Sequence, residues 1–388
     1  MFDIGHNHHY FDDHKNAEVA RKVARKCYLP MNNLLLEQIR HHKGKFKIAF
    51  SITGTAIEQF REYAPEVLES FKELARTGCV EFLDETYYHS LSYLYSKEEF
   101  SEQVNMHRKL MEKEFGQSPT VFRNTELIYN NELANHVESL GYKGIIAEGW
   151  DAMLGWRSPN FIYQSEYTTD IKTLLKNYKL SDDIAFRFGN KGWEEHPLTV
   201  DKFRDWLNKV NGNGHTVNLF MDYETFGEHQ WEDTGIFDFM RHLPHAVLEH
   251  PDNDFKTPSE VVQSYDSVGR IDAHDYVSWA DAERDLTAWL GNKMQEASLK
   301  ELYKLEAQVK AARDPAMLND WRKLTTSDHF YYMCTKWFAD GDVHKYFSPY
   351  ESPYEAYIAF MNVIQDMKLR LENRSEEMNP SAQEASTI

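Results

Sequence analysis

Residues Met221-Asp222-Tyr223-Glu224-Thr225-Phe226-Gly227-Glu228-His229 follow an apolar run, Val217 to Phe220, that reads as a strand. Side chains alternate along a strand, so Asp222 and Glu224 would share a face. Two carboxylates there repel each other unless a cation or a proton sits between them. That makes a poor core and a workable acid/base site. A second strand-like run, Thr120-Val121-Phe122-Arg123-Asn124-Thr125-Glu126, ends in another acid. Carboxylates at the ends of two strands point to paired-carboxylate chemistry, the usual arrangement for splitting a glycosidic bond.

The elements that must position these acids alternate along the chain. Strand signals at Phe46 to Ile52, Cys79 to Glu85, Val121 to Glu126 and Lys143 to Ala147 are separated by helical patterns. These patterns lie near Ala56 to Arg76, after the capping box Ser96-Lys97-Glu98-Glu99, and near Asn130 to Leu140. Shorter strand signals occupy Phe161 to Gln164 and Ile184 to Phe188, and a helix near Val200 to Val210 leads to the Asp222 strand. Repeated βα units imply a parallel sheet, and this many imply a barrel. From about residue 280 the pattern is helical only, with capping boxes expected at Ser298-Leu299-Lys300-Glu301 and Ser352-Pro353-Tyr354-Glu355. The expected organisation is a catalytic barrel over 1–270, a C-terminal helical domain over 271–372 and a disordered polar tail over 373–388. The start is anomalous. A barrel of this kind should open with a strand, yet the first clear element is a helix from Ala17 to Cys27, followed by a second from Pro30 to Ile39. The barrel is therefore expected to be open at its start, or to lack a first strand that precedes the present Met1.

Composition narrows the function. With 43 basic and 62 acidic residues the formal charge is −19, which argues against nucleic acid or an anionic membrane surface as partner. The 23 Phe, 22 Tyr and 9 Trp supply an aromatic core and a surplus of flat faces on which sugar rings stack. Three separated cysteines, Cys27, Cys79 and Cys334, allow no disulfide framework and no CxxC metal site, which fits a reducing, cytoplasmic setting. No signal-peptide pattern and no membrane-spanning apolar run is legible. His6, His8, His9, Asp12, Asp13 and His14 are possible metal donors, but their spacing matches no closed site, so neither metal nor cofactor is expected.

Four motifs in order resemble glycoside hydrolase family 57, closest to its α-amylase branch. They are Gly78-Cys79-Val80-Glu81-Phe82-Leu83-Asp84-Glu85-Thr86-Tyr87-Tyr88-His89, Asn124-Thr125-Glu126-Leu127-Ile128-Tyr129, Asp222-Tyr223-Glu224-Thr225-Phe226-Gly227 and Thr326-Ser327-Asp328-His329-Phe330. The resemblance implies an incomplete (β/α)7-type barrel followed by a helical bundle. It also implies a retaining double displacement on α-1,4-glucans, with Glu126 as nucleophile and Asp222 as general acid/base. Asp222 would then have to be protonated at rest. Two departures stand out. The family's His-Gln-Pro motif on the first strand is absent, and Arg123 occupies a position that commonly holds tryptophan.

His89, Arg123, Glu224, Glu228, Trp279 and Asp328 are the candidate sugar-binding residues. His89 and Asp328 come from the motifs, and Glu224 from its shared face with Asp222. Trp279 follows Ser278 at the domain junction and could stack on a sugar or simply pack, while Glu228 and His229 could instead be solvated loop residues. Alternatives are a 4-α-glucanotransferase, which replaces water by a sugar acceptor, and a catalytically weak glucan-binding protein. A metal-dependent deacetylase or mannosidase would need an Asp/His cluster at strand ends, which the sequence does not show.

Overall fold

Short parallel strands, covered by helices, build the part of the molecule that carries the acids. The computed structural model describes residues 9–336 and 348–378. Its strands are β1 (Ile48–Phe50), β2 (Val80–Phe82), β3 (Val121–Arg123), β4 (Gly144–Glu148), β5 (Tyr163–Ser165), β6 (Lys172–Lys176) and β7 (Arg270–Ile271). β1 pairs with β2, and β3 with β4 with β6, all in parallel. Parallel bridges from Asp84 to Phe122 and from Lys176 to Asn218 join β2 to β3 and join β6 to the segment that leads to Asp222. Six parallel staves thus follow one another. β5 runs antiparallel to the start of β6 and carries β7 beside it. β4 is buried at all five positions, as a strand covered on both faces must be. This is the incomplete βα barrel that the alternating pattern implied. Among residues 9–14 there is no strand, because Asp13 opens a helix, and residues 1–8 lie outside the described residues, His6 and His8 with them. His9 pairs with Asp13 at 3.0 Å on an exposed turn.

Two compact units partition the chain. One comprises residues 17–87 and 101–279, the other residues 1–16, 88–100 and 280–388. The first holds the strands. Its largest core packs Leu34, Phe50, Ile57, Phe60, Val67, Phe71 and Phe82, contributed by β1, β2 and the helices around them. The second is helical, with Trp289 and Trp321 fully buried. Inside it the buried carboxylate of Glu99 takes two hydrogen bonds from Arg322, at 2.7 and 3.1 Å, and an ion pair from Lys310 at 3.0 Å.

Several local expectations are corrected. The helix expected over Ala56 to Arg76 is two helices, Gly54–Tyr63 and Pro65–Arg76, because Pro65 cannot continue the first and suits the first turn of the second. No strand forms over Ile184 to Phe188, where the chain makes the π-helical turn Asp183–Arg187. It prolongs the helix Tyr178–Asp182, capped by Asn177, and Arg187 reaches back one turn to Asp183 at 2.5 Å. Ser298 lies inside the helix Lys293–Lys304, whose cap is Asn292 with Gln295 reciprocating. Ser352 does cap the last helix, accepting from Glu355 N at 3.2 Å, but that helix runs through Met378, so residues 373–378 are not a disordered tail. Residues 379–388 lie outside the described residues.

A buried ion pair ties β1 to β2. Asp84 accepts from Tyr142 Oη, from Glu85 N at 3.1 Å and from His107 Nδ1 at 2.5 Å, while His107 Nε2 donates to Ile52 O at 2.7 Å. Both partners of the ring only accept, so both ring nitrogens carry hydrogen and His107 is an imidazolium. Burial opposes that charge, but the Asp84 carboxylate wins and raises the histidine above its ordinary pKa. A raised histidine contributes stability that is complete below the unfolded-state value, about 6.5, and is lost as pH climbs through the folded-state value. Chemical denaturation between pH 6 and 9 should therefore show stability falling as pH rises. His107→Gln should remove most of that slope, and an unaltered slope would rule out the imidazolium.

Candidate active site

Arg123, Glu148 and Lys176 close β3, β4 and β6, and Glu85 and Glu126 follow β2 and β3, so these side chains belong to the carboxyl ends of the strands, the end from which parallel βα proteins present their sites. Glu126 follows β3 by three residues. It is buried, with 3% of its surface exposed. It sits at φ 56°, and Leu127 at φ 51°, so two consecutive side-chain-bearing residues occupy the left-handed region. Such conformations cost about 1–3 kcal/mol each and persist only where the surroundings over-determine them. Here Leu127 N donates to Asn124 O at 3.0 Å, Asn124 Nδ2 donates to Ile128 O at 2.9 Å, and Trp279 N donates to Glu126 O at 3.2 Å. Thr125 shares a hydroxyl–hydroxyl bond with Thr86 at 3.0 Å. The strained turn aims the carboxylate, and Trp279 Nε1 donates to Glu126 Oε2 at 2.7 Å.

The Trp279 indole is the hub of the site. The Arg123 guanidinium and the Lys176 ammonium each lie 5.1 Å from its ring centroid, inside cation–π range. Phe220 packs against it at 5.8 Å, two residues before Asp222. One side chain therefore touches both the Glu126 carboxylate and the stave that ends in Asp222. Arg123, which is buried, reaches Glu85 at 3.5 Å, and Glu85 accepts from Ser51 Oγ at 2.5 Å. Lys176 stands 3.6 Å from Glu148 and 3.4 Å from Asp182. Arg123 thus keeps a flat cation against Trp279 and pairs with Glu85.

Strand-like backbone ends at Asp222, and Tyr223–Thr225 form a single 3-10 turn. The simple alternation that would have put Asp222 and Glu224 on one face does not apply. The two are still close enough for the Asp222 charge to act on Glu224, whose carboxyl is pushed up first by burial and then by that charge. Asp222 itself is partly exposed, whereas Glu228 is buried and paired with Lys22, and with Lys26 at 3.2 Å. Burial works against the Glu228 charge, but the two lysines hold it below the usual carboxylate range. Its carboxylate is thereby committed to anchoring the loop. Gly227 is needed there, since at φ 110° an added Cβ would stand 2.0 Å from Lys26 O.

Glu126, Asp222, Arg123, Glu224, Glu228 and Trp279 all belong to the barrel unit, and His89 and Asp328 belong to the helical unit. His89 has φ 50°, and its carbonyl accepts from Ser327 N at 2.9 Å. Asp328 lies on the short helix Ser327–Tyr331. The next residue, His329, is half-buried; desolvation pushes it down to about 4, so it is neutral and donates to Lys323 O at 3.2 Å. Lys176, Glu148, Glu85 and Ser51 were not anticipated as site residues. Glu85 and Glu148 carried a usable signal, each being an acid at the end of a strand-like run.

Trp279→Phe would delete the donor to Glu126 and keep an aromatic ring. A hydrogen bond to a charged group is worth about 1.5–3 kcal/mol, so kcat should fall roughly 10–150-fold. An unchanged kcat would remove Trp279 from the site.

A parallel barrel with acids and cations gathered at one end can carry many chemistries, and comparison with known proteins narrows them. Glycosyl hydrolase family 57 matches residues 4–274. A Methanocaldococcus jannaschii protein named "Putative alpha-amylase" is 45% identical over 370 residues, which are 92% of this chain and 78% of that protein. An alpha-amylase of Pyrococcus furiosus is 23% identical over 211 residues, covering 54% of this chain and 30% of the relative. Among solved structures, a GH57 branching enzyme from Thermococcus kodakaraensis superposes with a TM-score of 0.70 at 14% identity, covering 92% of this chain and 86% of that one. A 4-alpha-glucanotransferase from Thermococcus litoralis gives 0.63 at 18% identity, covering 81% of this chain and 53% of its own. At such identities the structures speak for the fold alone. The chain belongs to glycosyl hydrolase family 57 and is a glycoside hydrolase. Among the described residues no helix is long and apolar enough to cross a membrane.

Proposed function

We propose that this enzyme hydrolyses α-1,4-glucans in the manner of an α-amylase, with retention, by double displacement. Glu126 is the nucleophile and Asp222 the general acid/base. The observation that carries this reading is the Trp279 bridge, from the Glu126 carboxylate at 2.7 Å to Phe220 on the Asp222 stave at 5.8 Å. The archaeal relatives named as alpha-amylases support the choice of substrate.

The steps follow from the residues. Trp279 Nε1–H fixes the orientation of the Glu126 carboxylate, and the strained turn behind it limits its drift. Glu126 attacks the anomeric carbon while Asp222 gives its proton to the departing oxygen, leaving a glycosyl ester on Glu126. Asp222, now a carboxylate, takes a proton from water, which attacks the ester and frees Glu126. Retention in this scheme calls for carboxyl groups roughly 5–5.5 Å apart. Arg123 and Lys176 lie over the indole as fixed positive charges that steady the anionic Glu126 between turnovers. Arg123 and Trp279 are also proposed as sugar contacts, as are His89 and Asp328.

Incubating the purified protein with maltoheptaose and resolving products against time tests the assignment. Shorter maltooligosaccharides, with new reducing ends equal in number to the bonds cut, are expected. Products longer than seven glucose units without a rise in reducing ends would make it a transferase. Binding without turnover would make it a glucan-binding protein.

A further inference from the structure

An exposed tryptophan stands on the loop that carries Asp222. Trp231 has 54% of its surface open, and short main-chain steps tie it to the acid. Thr225 N donates to Asp222 O at 3.1 Å, and Gln230 N donates to Thr225 O at 3.0 Å. One turn, one hydrogen bond and one peptide thus separate the two residues, which puts their Cα atoms within about 18 Å of each other. That is the span of a few sugar rings.

The ring and its surroundings are held. The helix Asp13–Val23 runs into a π-helical turn, Ala24–Tyr28. Lys26, in that turn, places its ammonium 4.9 Å from the Trp231 centroid, inside cation–π range, and is itself fixed by Glu228 at 3.2 Å. Gln230, which is buried, clamps a second segment to the loop. Its Nε2 donates to Ala185 O at 2.9 Å, and its Oε1 accepts from Gly189 N at 2.9 Å. Phe186, in the segment so held, is 44% exposed. Glu232 and Asp233 follow Trp231 on an exposed 3-10 turn, Glu232–Thr234. A lone exposed ring is ordinary on a protein surface. Exposed aromatic residues on two segments clamped together, on the acid's own loop and beside it, make a patch that points to a ligand.

We propose that Trp231 is the platform of a glucan-binding subsite outside the Glu126–Asp222 centre, taking a sugar ring a few units along the chain from the bond that is cut. The inference rests on the α-glucan reading and adds to it that long chains are the preferred substrate. A pyranose offers a C–H face and a rim of hydroxyls. The indole supplies a flat, rigid surface for the face at little cost in conformational freedom. Glu232 and Asp233 supply acceptors for the hydroxyls. The same two carboxylates, on a chain of formal charge −19, disfavour an anionic occupant. Acids beside an aromatic ring suit a neutral polyol. A glucan long enough to lie on both the cutting centre and Trp231 gains contacts that a short one cannot, so affinity should rise with chain length.

Trp231→Ala and Trp231→Phe test it on maltotriose and maltoheptaose. For Trp231→Ala, kcat/KM on maltoheptaose is expected to fall about tenfold, mostly through KM, and on maltotriose much less. Trp231→Phe keeps a flat ring and should recover most of the loss. Binding gives a readout that needs no turnover. In a Glu126→Gln background, calorimetric titration with maltoheptaose should show Kd rising about tenfold on Trp231→Ala, with a much smaller change for maltotriose. Equal losses at both lengths, no loss at either, or a Trp231→Phe variant no better than Trp231→Ala overturn the subsite. If the wild-type protein cuts no glucan but Trp231→Ala still weakens maltoheptaose binding, the hydrolase reading fails and the subsite stands. If it does hydrolyse and Trp231→Ala changes neither KM nor Kd, only the subsite fails. A wild-type protein that neither cuts nor binds maltoheptaose overturns both.

Discussion

Glu126→Ala is expected to lose activity on every α-glucoside, on the order of 10⁴-fold or more, about 5.5 kcal/mol of transition-state stabilisation. The loss should be independent of the leaving group, because no glycosyl ester can form whatever departs. Azide offers the distinguishing result. A small anion in the vacated space can attack the anomeric carbon from the nucleophile's face, restoring turnover of an activated substrate and giving a glycosyl azide of inverted configuration. The main-chain bonds from Leu127 and Trp279 that hold the Glu126 turn remain in this variant. Near-normal activity of Glu126→Ala would contradict the role, and so would an azide product of retained configuration.

Asp222→Ala should fail selectively. General acid/base assistance is worth typically 10²–10⁴-fold, and natural glucans need all of it because a sugar alkoxide leaves poorly. An aryl glycoside whose phenol is already acidic needs little help in the first step. Its glycosyl ester should form at close to the normal rate and then accumulate, since the same residue must activate water in the second step. A burst of phenol followed by slow turnover is expected on the aryl substrate, and near-silence on maltoheptaose. Equal loss on both would move the acid function elsewhere, with Glu224 the first residue to examine.

How much of this was legible in the sequence depends on the distance over which each feature is determined. The acids at strand ends were legible because residue type and local spacing carry them: Glu126 ends its run three residues past β3, and Asp222 ends an apolar run. The alternation of strands and helices was legible for the same reason. The Asp222–Glu224 pairing was read for the wrong cause, since a 3-10 turn and not strand alternation brings their charges together. Ile184 to Phe188 was misread because a short apolar run has no period of its own, and the helix before it simply continues. The gathering of Glu85, Glu148 and Lys176 around Arg123 and Trp279 was not legible. Those residues come from separate staves, and only the parallel register sets them side by side. The π-turn left no mark either, since a one-residue insertion into a helix changes no residue type, yet it brings Tyr28 to Glu224.

The most direct measurement is to trap the intermediate. Asp222→Ala, slowed in the second step, is incubated with an activated 5-fluoro-α-glucosyl fluoride, digested and mapped by mass spectrometry. The expected result is one added fluoroglucosyl mass on the peptide that contains Glu126, located on that side chain by fragmentation. A label on Glu85, Glu148 or Glu224, or substrate consumption with no labelled peptide, would contradict a Glu126-centred double displacement.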